Sequence, residues 1–362
     1  MARQAGITMK ERRSAVLQHA NKAGYNAVAA FEPENVFYLT GFWGEAIAVC
    51  TADGTKLIAP KLEYSRAQHS SVGCEVIPTE RGSELLMTFV AQVKDKKACT
   101  DCSDFTTIEH IRKLGNNIAI DTEPFFQARR IKDDAEMAVI AKASRILDNL
   151  YEICEDEIKP GVSERQLQAK LIYEAMKMGA NPPSYNSTLN PLIIAGGPNG
   201  ALPHAEVTDR KFRSKDMIVV DLTLRHKGYI ADATRTFALG SATKEMTPVY
   251  NVVQESQKAG LDAATAGATC GQVDAACRDL IKERGYEKYF IHSTGHGIGL
   301  DVHEPPWLRT NAEEVLKANM AVTVEPGIYL EGKFGVRIED SVLVTGGRPK
   351  VLNRYTKDLV VL

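Results

Sequence analysis

Two pairs of carboxylates in apolar, strand-like segments are the residues of this 362-residue sequence that most clearly indicate chemistry. Asp221 lies in the run Met-Ile-Val-Val-Asp-Leu-Thr-Leu, and Asp232 follows in the run Gly-Tyr-Ile-Ala-Asp-Ala-Thr-Arg. If His226 and Lys227 form a two-residue hairpin loop, Asp221 lies directly opposite Asp232. Directly opposed side chains have Cβ atoms about 5 Å apart. Two carboxylates this close repel each other, so the pair predicts a cation between them.

Glu325 and Glu339 show the same relationship near the C-terminus. They lie in the strand-like segments 321–329 and 335–343, and pairing about a turn at Gly332 places them opposite each other. An alternative interpretation is that all four carboxylates lie on the surface and that the two registers coincide by chance. The apolar runs around the acids favour burial, which is costly for a carboxylate without a partner. The repeated pattern therefore favours a shared site.

Histidines supply the next candidate groups. The glycine-rich segment 292–306 contains His292, His296 and His303, and a further histidine, His204, follows the run Asn-Gly-Ala-Leu-Pro. The glycines permit unusual backbone dihedrals, so the segment is not expected to form a plain helix. Its His-Glu pair is followed by two prolines, which excludes a His-Glu-x-x-His zinc helix. Three histidines in such a loop indicate a site rather than isolated core or surface residues.

Four carboxylates and one imidazole suit two divalent metal ions that share a bridging oxygen. Hard or borderline ions such as Mn²⁺, Co²⁺, Fe²⁺ and Zn²⁺ match carboxylate-rich sites, whereas ions that prefer thiolates do not. Two such ions lower the pKa of a bridging water, which then attacks as hydroxide. The expected chemistry is hydrolysis of an amide or ester, and neither a nucleophile elbow nor a catalytic-cysteine context competes with it.

Five motifs occur in an order that resembles the pita-bread metallopeptidases, the family of Xaa-Pro dipeptidase (prolidase), aminopeptidase P and creatinase. The motifs are Asn-Gly-Ala-Leu-Pro-His at 199–204, the aspartate segments at 220–235, the histidine loop at 292–306, Val-Glu-Pro-Gly-Ile-Tyr at 324–329 and Gly-Val-Arg-Ile-Glu-Asp at 335–340. The run Pro-Glu-Asn-Val-Phe-Tyr-Leu-Thr-Gly at 33–41 is similar too. The resemblance therefore spans nearly the whole chain.

The resemblance implies a centre for two divalent ions (Mn²⁺, Co²⁺ or Zn²⁺) with five protein ligands. Carried over position by position, these ligands are Asp221, Asp232, His296, Glu325 and Glu339. The family's pattern also gives Glu325 the role of general base towards the bridging water. The same acids were indicated independently by the two hairpins.

The resemblance also assigns residues around the substrate. His303 would stabilise the scissile carbonyl or the tetrahedral oxyanion. His204 would transfer protons or position the substrate, and His292 would border the pocket on the proline side. Arg337 would hold Glu339 or the substrate through its fork of donors.

The activity that the resemblance implies is metal-dependent hydrolysis of Xaa-Pro peptide bonds, with prolidase activity preferred and Xaa-Pro aminopeptidase activity as the alternative. The complete ligand set argues against creatinase and against metal-free relatives. A non-catalytic peptide-binding protein and another small amidohydrolase on the same scaffold stay open. Some prolidases carry an arginine two residues after the His-Glu pair, whereas here Pro-Pro-Trp-Leu precedes Arg309. This departure bears on how a free dipeptide carboxylate is bound.

The elements that position these residues fall into two predicted domains. Alternating strands and helices predict a small α/β domain over residues 1–130. A long amphipathic helix predicted over 133–158 begins an α+β region, which the resemblance identifies as the pita-bread catalytic domain, residues 131–362. A basic run before an acidic helix start indicates the boundary near residue 130.

The composition of the chain limits the classes of partner and the compartment that we expect for the protein. A formal net charge of -2 and a pI near 6.5 argue against a dedicated binder of nucleic acid or anionic membranes. Seven scattered cysteines fit a reducing cytoplasm, and neither a secretory signal nor a transmembrane segment is expected. The resemblance implies a proline-containing peptide as substrate and a homodimer. Phe42 and Trp43 either contribute to the dimer interface or pack on their own domain.

Overall fold

The computed structural model describes residues 2–184, 188 and 190–362, apart from the side chains of residues 2–8. The chain divides into two compact units, Met1–Arg129 and Arg130–Leu362. Among the described residues, we find no helix that combines the length and the apolar character needed to cross a membrane.

The first unit is an α/β domain, as the alternation of elements predicts. Its strands are Ala27–Ala30 (β1), Ile47–Thr51 (β2), Gly54–Pro60 (β3), Glu75–Thr79 (β4), Ala98–Thr100 (β5) and Ala119–Ile120 (β6). Its helices are Ala2–Lys22 (α1), Pro33–Thr40 (α2), Lys61–Ser70 (α3), Ser83–Val93 (α4), Phe105–Lys113 (α5) and Glu123–Arg130 (α6). The strands form one mixed sheet in the order β4-β3-β2-β1-β5-β6.

Helices α2 and α3 lack the apolar periodicity that predicts a helix, for different reasons. Helix α2 is only eight residues long; it begins at Pro33, whose fixed φ suits the first helical turn, and it ends at Gly41 in the left-handed conformation. Helix α3 is largely exposed, with Ala67 buried, so its sequence carries no apolar stripe. Short or exposed helices are therefore where the sequence pattern is weakest.

The aromatic pair Phe42-Trp43 lies in the turn after α2. Phe42 is only 1% exposed, and the guanidinium of Arg66, in the same unit, lies 5.6 Å from the centroid of its ring. The ring of Trp43 meets the ring of Phe37 edge-on, with centroids 5.5 Å apart. For Phe42 the structure agrees with the packing alternative.

The second unit combines four helices with strands of three sheets among its described residues. Its helices are Asp134–Glu157 (α7), Glu164–Lys177 (α8), Met246–Ala263 (α9) and Cys270–Glu283 (α10), with short 3-10 turns at Gly197–Ala201 and Glu287–Tyr289. Its strands are Leu192–Gly196 (β7), Met217–His226 (β8), Tyr229–Ala238 (β9), Gly295–Gly297 (β10), Glu304–Leu308 (β11), Ala321–Val324 (β12), Gly327–Leu330 (β13), Phe334–Arg337 (β14), Asp340–Leu343 (β15) and Lys350–Val351 (β16).

Each helix pair of this unit covers its own set of strands. One apolar core joins α7 and α8 to the sheet β7-β8-β9. A second joins α9 and α10 to strands of the sheet β11-β10-β12-β15-β16 and of the hairpin β13-β14. Capping boxes at Asp133 and Ser163 begin α7 and α8, each satisfying otherwise unpaired backbone N–H groups. The predicted helix over 133–158 thus agrees with α7 to within one residue at each end.

Candidate metal centre

The turn of the first hairpin lies one residue later than predicted. Lys227 and Gly228 form it, with φ values of 48° and 90°. Two consecutive positive φ values define the type I′ turn that best suits the twist of a two-residue hairpin, and glycine at the second position favours it. The proposed loop at His226 and Lys227 is therefore wrong.

This turn shifts the register by two residues. Asp221 faces Thr234, and Asp232 faces Thr223. The predicted direct opposition of the two aspartates is thus incorrect, and they lie on a diagonal instead. They still share one face of the hairpin, because residues two apart along a strand point the same way. The two carboxylates therefore still repel each other, at a somewhat longer separation.

The second hairpin has the predicted register but not the predicted continuity. Gly327 pairs with Arg337 in one ladder, and Val324 pairs with Asp340 in the other. Glu325 and Glu339 lie level with each other in the break between these ladders. Their backbone groups bond elsewhere: Glu325 N donates to Thr294 O (2.8 Å), and Glu339 exchanges bonds with Thr234.

The side chains from both hairpins and from β10 converge on one buried cluster. Within the described residues, Asp232, His296 and Glu339 each offer a ligand atom, and these atoms lie within 4.8 Å of one another. His296 Nε2 also lies 3.3 Å from Glu325 Oε1. The structure thus brings together four of the five ligands that the resemblance suggested.

The fifth, Asp221, carries an orphaned atom. Its Oδ2 accepts a hydrogen bond from Arg337. Its Oδ1 is buried and has no hydrogen-bond partner. A buried carboxylate oxygen without a partner is costly, and a cation would satisfy it.

Three of the other carboxylates accept hydrogen bonds from threonine hydroxyls. Each donates to one carboxylate oxygen: Thr223 to Asp232 (2.9 Å), Thr234 to Glu339 (2.7 Å) and Thr323 to Glu325 (3.3 Å). Such outer contacts fix the orientation of metal ligands. Sequence reasoning gave these threonines no role, although the pattern Asp-x-Thr occurs in both strands of the first hairpin.

The electrostatics of the cluster show an excess of negative charge. Burial and the nearby charge of Asp221 raise the pKa of Asp232 to about 8. Burial and the charge of Asp232 likewise raise the pKa of Glu339. Burial also raises the pKa of Glu325, but the hydrogen bond and charge of His296 outweigh it and lower that pKa to about 2. Divalent cations would relieve this repulsion, and the oxygen-rich donor set with one imidazole fits Mn²⁺, Co²⁺ or Zn²⁺.

His296 is oriented as a ligand would be. Its Nδ1 donates to Gly297 O (3.1 Å), which leaves Nε2 directed at Glu325. A second ring nitrogen bonded to a backbone carbonyl is the usual arrangement for metal-binding histidine. His303 lies beside it, with ring centroids 4.4 Å apart. Burial, and next the charge of His296, lower the pKa of His303 to about 4, which keeps it neutral at pH 7.

His292 and His204 border the cluster. The Tyr329 hydroxyl donates to His292 Nε2 (2.9 Å), and burial lowers the pKa of His292. His204 is exposed, and its charge lowers the pKa of both His292 and His303, so it lies within electrostatic range of both. The three histidines thus lie around the carboxylates, as the sequence predicts.

The donors of Arg337 go to partners that the sequence did not identify. Besides Asp221, it donates to Tyr329 Oη (2.8 Å), Thr234 Oγ1 (3.1 Å) and Pro203 O (3.0 Å). Its carboxylate partner is thus Asp221 rather than the expected Glu339. Tyr329 is a further residue that sequence reasoning quoted in a motif but gave no role.

Comparisons with known proteins agree with this fold and site. Residues 138–346 match Metallopeptidase family M24, and residues 12–132 match the Creatinase/Prolidase N-terminal domain. The chain belongs to this metallopeptidase family. The predicted architecture, an α/β N-terminal domain followed by a pita-bread catalytic domain, is thereby confirmed.

Individual relatives match nearly the whole chain. A Xaa-Pro dipeptidase of Pyrococcus furiosus is 32% identical over 356 residues, which are 97% of this chain and 100% of that protein. The structure of a Xaa-Pro dipeptidase from Bacillus anthracis has a TM-score of 0.91 at 30% identity, covering 98% and 100% of the two chains. That of an X-Pro aminopeptidase from Thermotoga maritima has a TM-score of 0.86 at 29% identity, covering 97% and 99%.

Proposed function

We propose that this protein is a prolidase: a metallopeptidase that hydrolyses the peptide bond of Xaa-Pro dipeptides with two divalent ions. The proposed ligands are Asp221, Asp232, His296, Glu325 and Glu339. The observation that carries the proposal is the buried cluster of carboxylates with an orphaned oxygen on Asp221. Full-length similarity to Xaa-Pro dipeptidases supports the substrate class.

The ions, when bound, would lower the pKa of a water molecule and polarise the peptide carbonyl. Glu325, in the proposed mechanism, accepts the proton that this water loses, because its carboxylate lies within the cluster, 3.3 Å from His296 Nε2, and its low pKa keeps it ionised. His303, whose pKa is lowered to about 4, is neutral at pH 7 and in this mechanism donates a ring N–H to the carbonyl oxygen as negative charge develops there.

The remaining groups position the substrate. His292 is fixed by the Tyr329 hydroxyl, and we propose that it borders the proline ring. The exposed His204 would pass a proton to the departing proline nitrogen. Arg337 holds Asp221 in place, and all of its nitrogens are engaged by protein groups, so it is proposed as a structural partner of the centre rather than a carboxylate receptor.

A Xaa-Pro aminopeptidase is the second candidate, favoured by the similarity to the Thermotoga maritima enzyme. Turnover of Gly-Pro, Leu-Pro and Xaa-Pro-Xaa tripeptides after chelation and re-addition of Mn²⁺, Co²⁺ or Zn²⁺ separates the two. Cleavage of dipeptides alone supports prolidase activity, and efficient cleavage of tripeptides supports the aminopeptidase. Failure to cleave either class with any of these metals contradicts both.

We further propose that the protein is a cytoplasmic homodimer. Its seven cysteines are all free, which supports a reducing compartment. The dimer is supported by the family resemblance alone. Sedimentation equilibrium of the metal-loaded protein tests it, and a monomer at micromolar concentration would contradict it.

A further inference from the structure

We infer that Asp274 and Arg278 on helix α10 are positioning residues of the candidate site. They fix the backbone segment 290–294 and, through it, His292 and Glu325. The two side chains lie one helical turn apart and form a bidentate ion pair, with N–O distances of 2.9 and 2.8 Å. This inference rests on the proposed function, because it assigns the purpose of the segment to the peptidase site.

The guanidinium of Arg278 reaches the backbone on both sides of residue 291. It donates from Nη1 to Phe290 O (3.1 Å) and from Nη2 to His292 O (2.9 Å). Its Cζ lies 4.2 Å from the centroid of the Phe290 ring, a cation–π contact. That ring in turn meets the His292 ring edge-on, with centroids 5.2 Å apart. Arg278 therefore restrains both the backbone and the packing surface of His292.

The carboxylate of Asp274 restrains the end of the same segment. Only 1% exposed, it accepts bonds from Thr294 N (3.2 Å) and Thr294 Oγ1 (2.8 Å). Thr310 Oγ1 donates to its second oxygen (2.9 Å). Burial raises the pKa of Asp274, but the hydrogen bonds from Arg278 and Thr294 outweigh it and lower that pKa. The acid is therefore a charged anchor at neutral pH.

Thr294 passes this restraint to the proposed general base. Its carbonyl oxygen accepts the backbone N–H of Glu325 at 2.8 Å. Glu325 lies in the break of the second hairpin, so this bond replaces a ladder bond that a continuous hairpin would supply. Asp274 thus helps to set the position of Glu325 through one intervening residue.

His292 passes the restraint from Arg278 to the opposite wall of the site. Its Nε2 accepts from the Tyr329 hydroxyl, which itself accepts from Arg337 Nη1 (2.8 Å). Arg337 then donates to Asp221. Hydrogen bonds therefore connect Arg278 on α10, through His292, Tyr329 and Arg337, to Asp221 in the carboxylate cluster.

An ion pair that only stabilised the helix would look different. Ion pairs at this spacing stabilise a helix by about 0.3–0.5 kcal/mol, and they do so without contacting another segment. Arg284, six residues after Arg278, forms an ordinary surface pair: it is half exposed and bonds a single partner, Glu255 on α9. By contrast, Arg278 donates to Phe290 O and His292 O, and Asp274 accepts from Thr294 as well as from Thr310, so the pair is bonded to the segment that carries His292.

The variant Arg278→Lys tests the inference, because it keeps the charge but loses the planar fork that reaches two carbonyls. Arg284→Lys is the matched control, the same substitution just beyond the end of α10. We expect kcat/KM for Xaa-Pro dipeptides to fall about tenfold in Arg278→Lys, mainly through KM, and to stay unchanged in the control. Both variants should keep wild-type metal content and Tm. Unchanged kinetics in Arg278→Lys would overturn the inference.

A double-mutant cycle separates positioning from general stabilisation. If Arg278 acts through His292, then adding Arg278→Lys to a His292→Ala protein should lower kcat/KM by less than a further twofold. An additional tenfold loss in that background would contradict action through His292.

A readout that needs no substrate distinguishes failure of this inference from failure of the proposed function. The ring ¹⁵N resonances of His292 in the zinc-loaded protein can be identified by their absence in His292→Gln. We expect one neutral tautomer, protonated at Nδ1, in the wild type and in Arg284→Lys, and an altered signal in Arg278→Lys. An unaltered His292 signal in Arg278→Lys overturns the inference even if the wild type cleaves no Xaa-Pro peptide.

Discussion

The two hairpins that carry the carboxylates position them in different ways. Strands β8 and β9 pair without interruption, and Asp221 and Asp232 lie inside that ladder. The second hairpin is divided into two ladders, and Glu325 and Glu339 lie where pairing stops. The first hairpin therefore positions its acids by strand register, and the second by bonds that its acids make to other segments.

This difference shows how a centre with several ligands can be assembled from a simple sheet. A continuous hairpin presents side chains on one face at fixed spacing. A broken one frees backbone groups, which here bond to Thr294 and Thr234 and so join β10, β9 and the second hairpin. The first hairpin acts as a platform, and the second connects the remaining parts of the site to it.

The largest expected effect comes from removing a charge on the platform. Asp232→Asn should reduce hydrolysis to background, because it removes a proposed ligand while the ladder stays intact. At pH 7 the metal-free variant should also unfold at a higher temperature than the metal-free wild type, because Asp232, whose pKa is raised to about 8, must take up a proton on folding and asparagine does not. Near-normal turnover would contradict the assignment of Asp232 as a ligand.

A smaller loss is expected for His303→Ala. The imidazole lies beside His296 but is proposed to contact the reacting carbonyl, so kcat should fall roughly a hundredfold with metal content unchanged. Metal analysis of the purified variant provides the check. Loss of metal would instead make His303 part of the ligand set.

The threonines sharpen the contrast between the hairpins. Thr223→Val removes a 2.9 Å bond to Asp232 on the platform, and we expect about a tenfold loss of metal affinity. Thr323→Val removes a longer, 3.3 Å bond to Glu325 and also the oxygen that accepts the backbone N–H of His296 (3.1 Å), so it affects two proposed ligands and its effect should be at least as large. Competition titration with a chromophoric chelator measures both, and the reverse order would contradict the comparison.

The smallest effects are expected at the two turns. Gly228 and Gly332 both have positive φ, 90° and 72°, so alanine at either should cost about 1–2 kcal/mol of unfolding free energy. Only Gly228→Ala should also weaken metal binding, because the platform depends on its turn for register. Urea denaturation and metal titration of both variants test this. Equal loss of metal affinity in the two would remove the distinction.

The sequence predicts the acids better than it predicts their geometry. Apolar runs around Asp221, Asp232, Glu325 and Glu339 correctly indicate buried strands, since alternation and burial are local properties. The register of the first hairpin depends on which two residues form the turn, and the positive φ values at both Lys227 and Gly228 settle that choice. A shift of one residue in the turn moves every facing pair by two.

Contacts between distant segments are what sequence patterns could not supply. Nothing in the neighbourhood of Asp274 indicates that it bonds Thr294 and Thr310. The pairing of Arg337 with Asp221 likewise joins residues more than a hundred positions apart. Such contacts follow from tertiary packing, which sets the orientation of side chains that local spacing leaves undetermined.

A count of bound metal tests the central claim most directly. Wild-type protein and Asp232→Asn would each be loaded with excess Mn²⁺, Co²⁺ or Zn²⁺, dialysed, and analysed for ions per chain by mass spectrometry. A dinuclear centre with Asp232 as a ligand should hold two ions per chain in the wild type and fewer in the variant, with both proteins folded. One ion or none in the wild type with every metal, or two retained in Asp232→Asn, would contradict it.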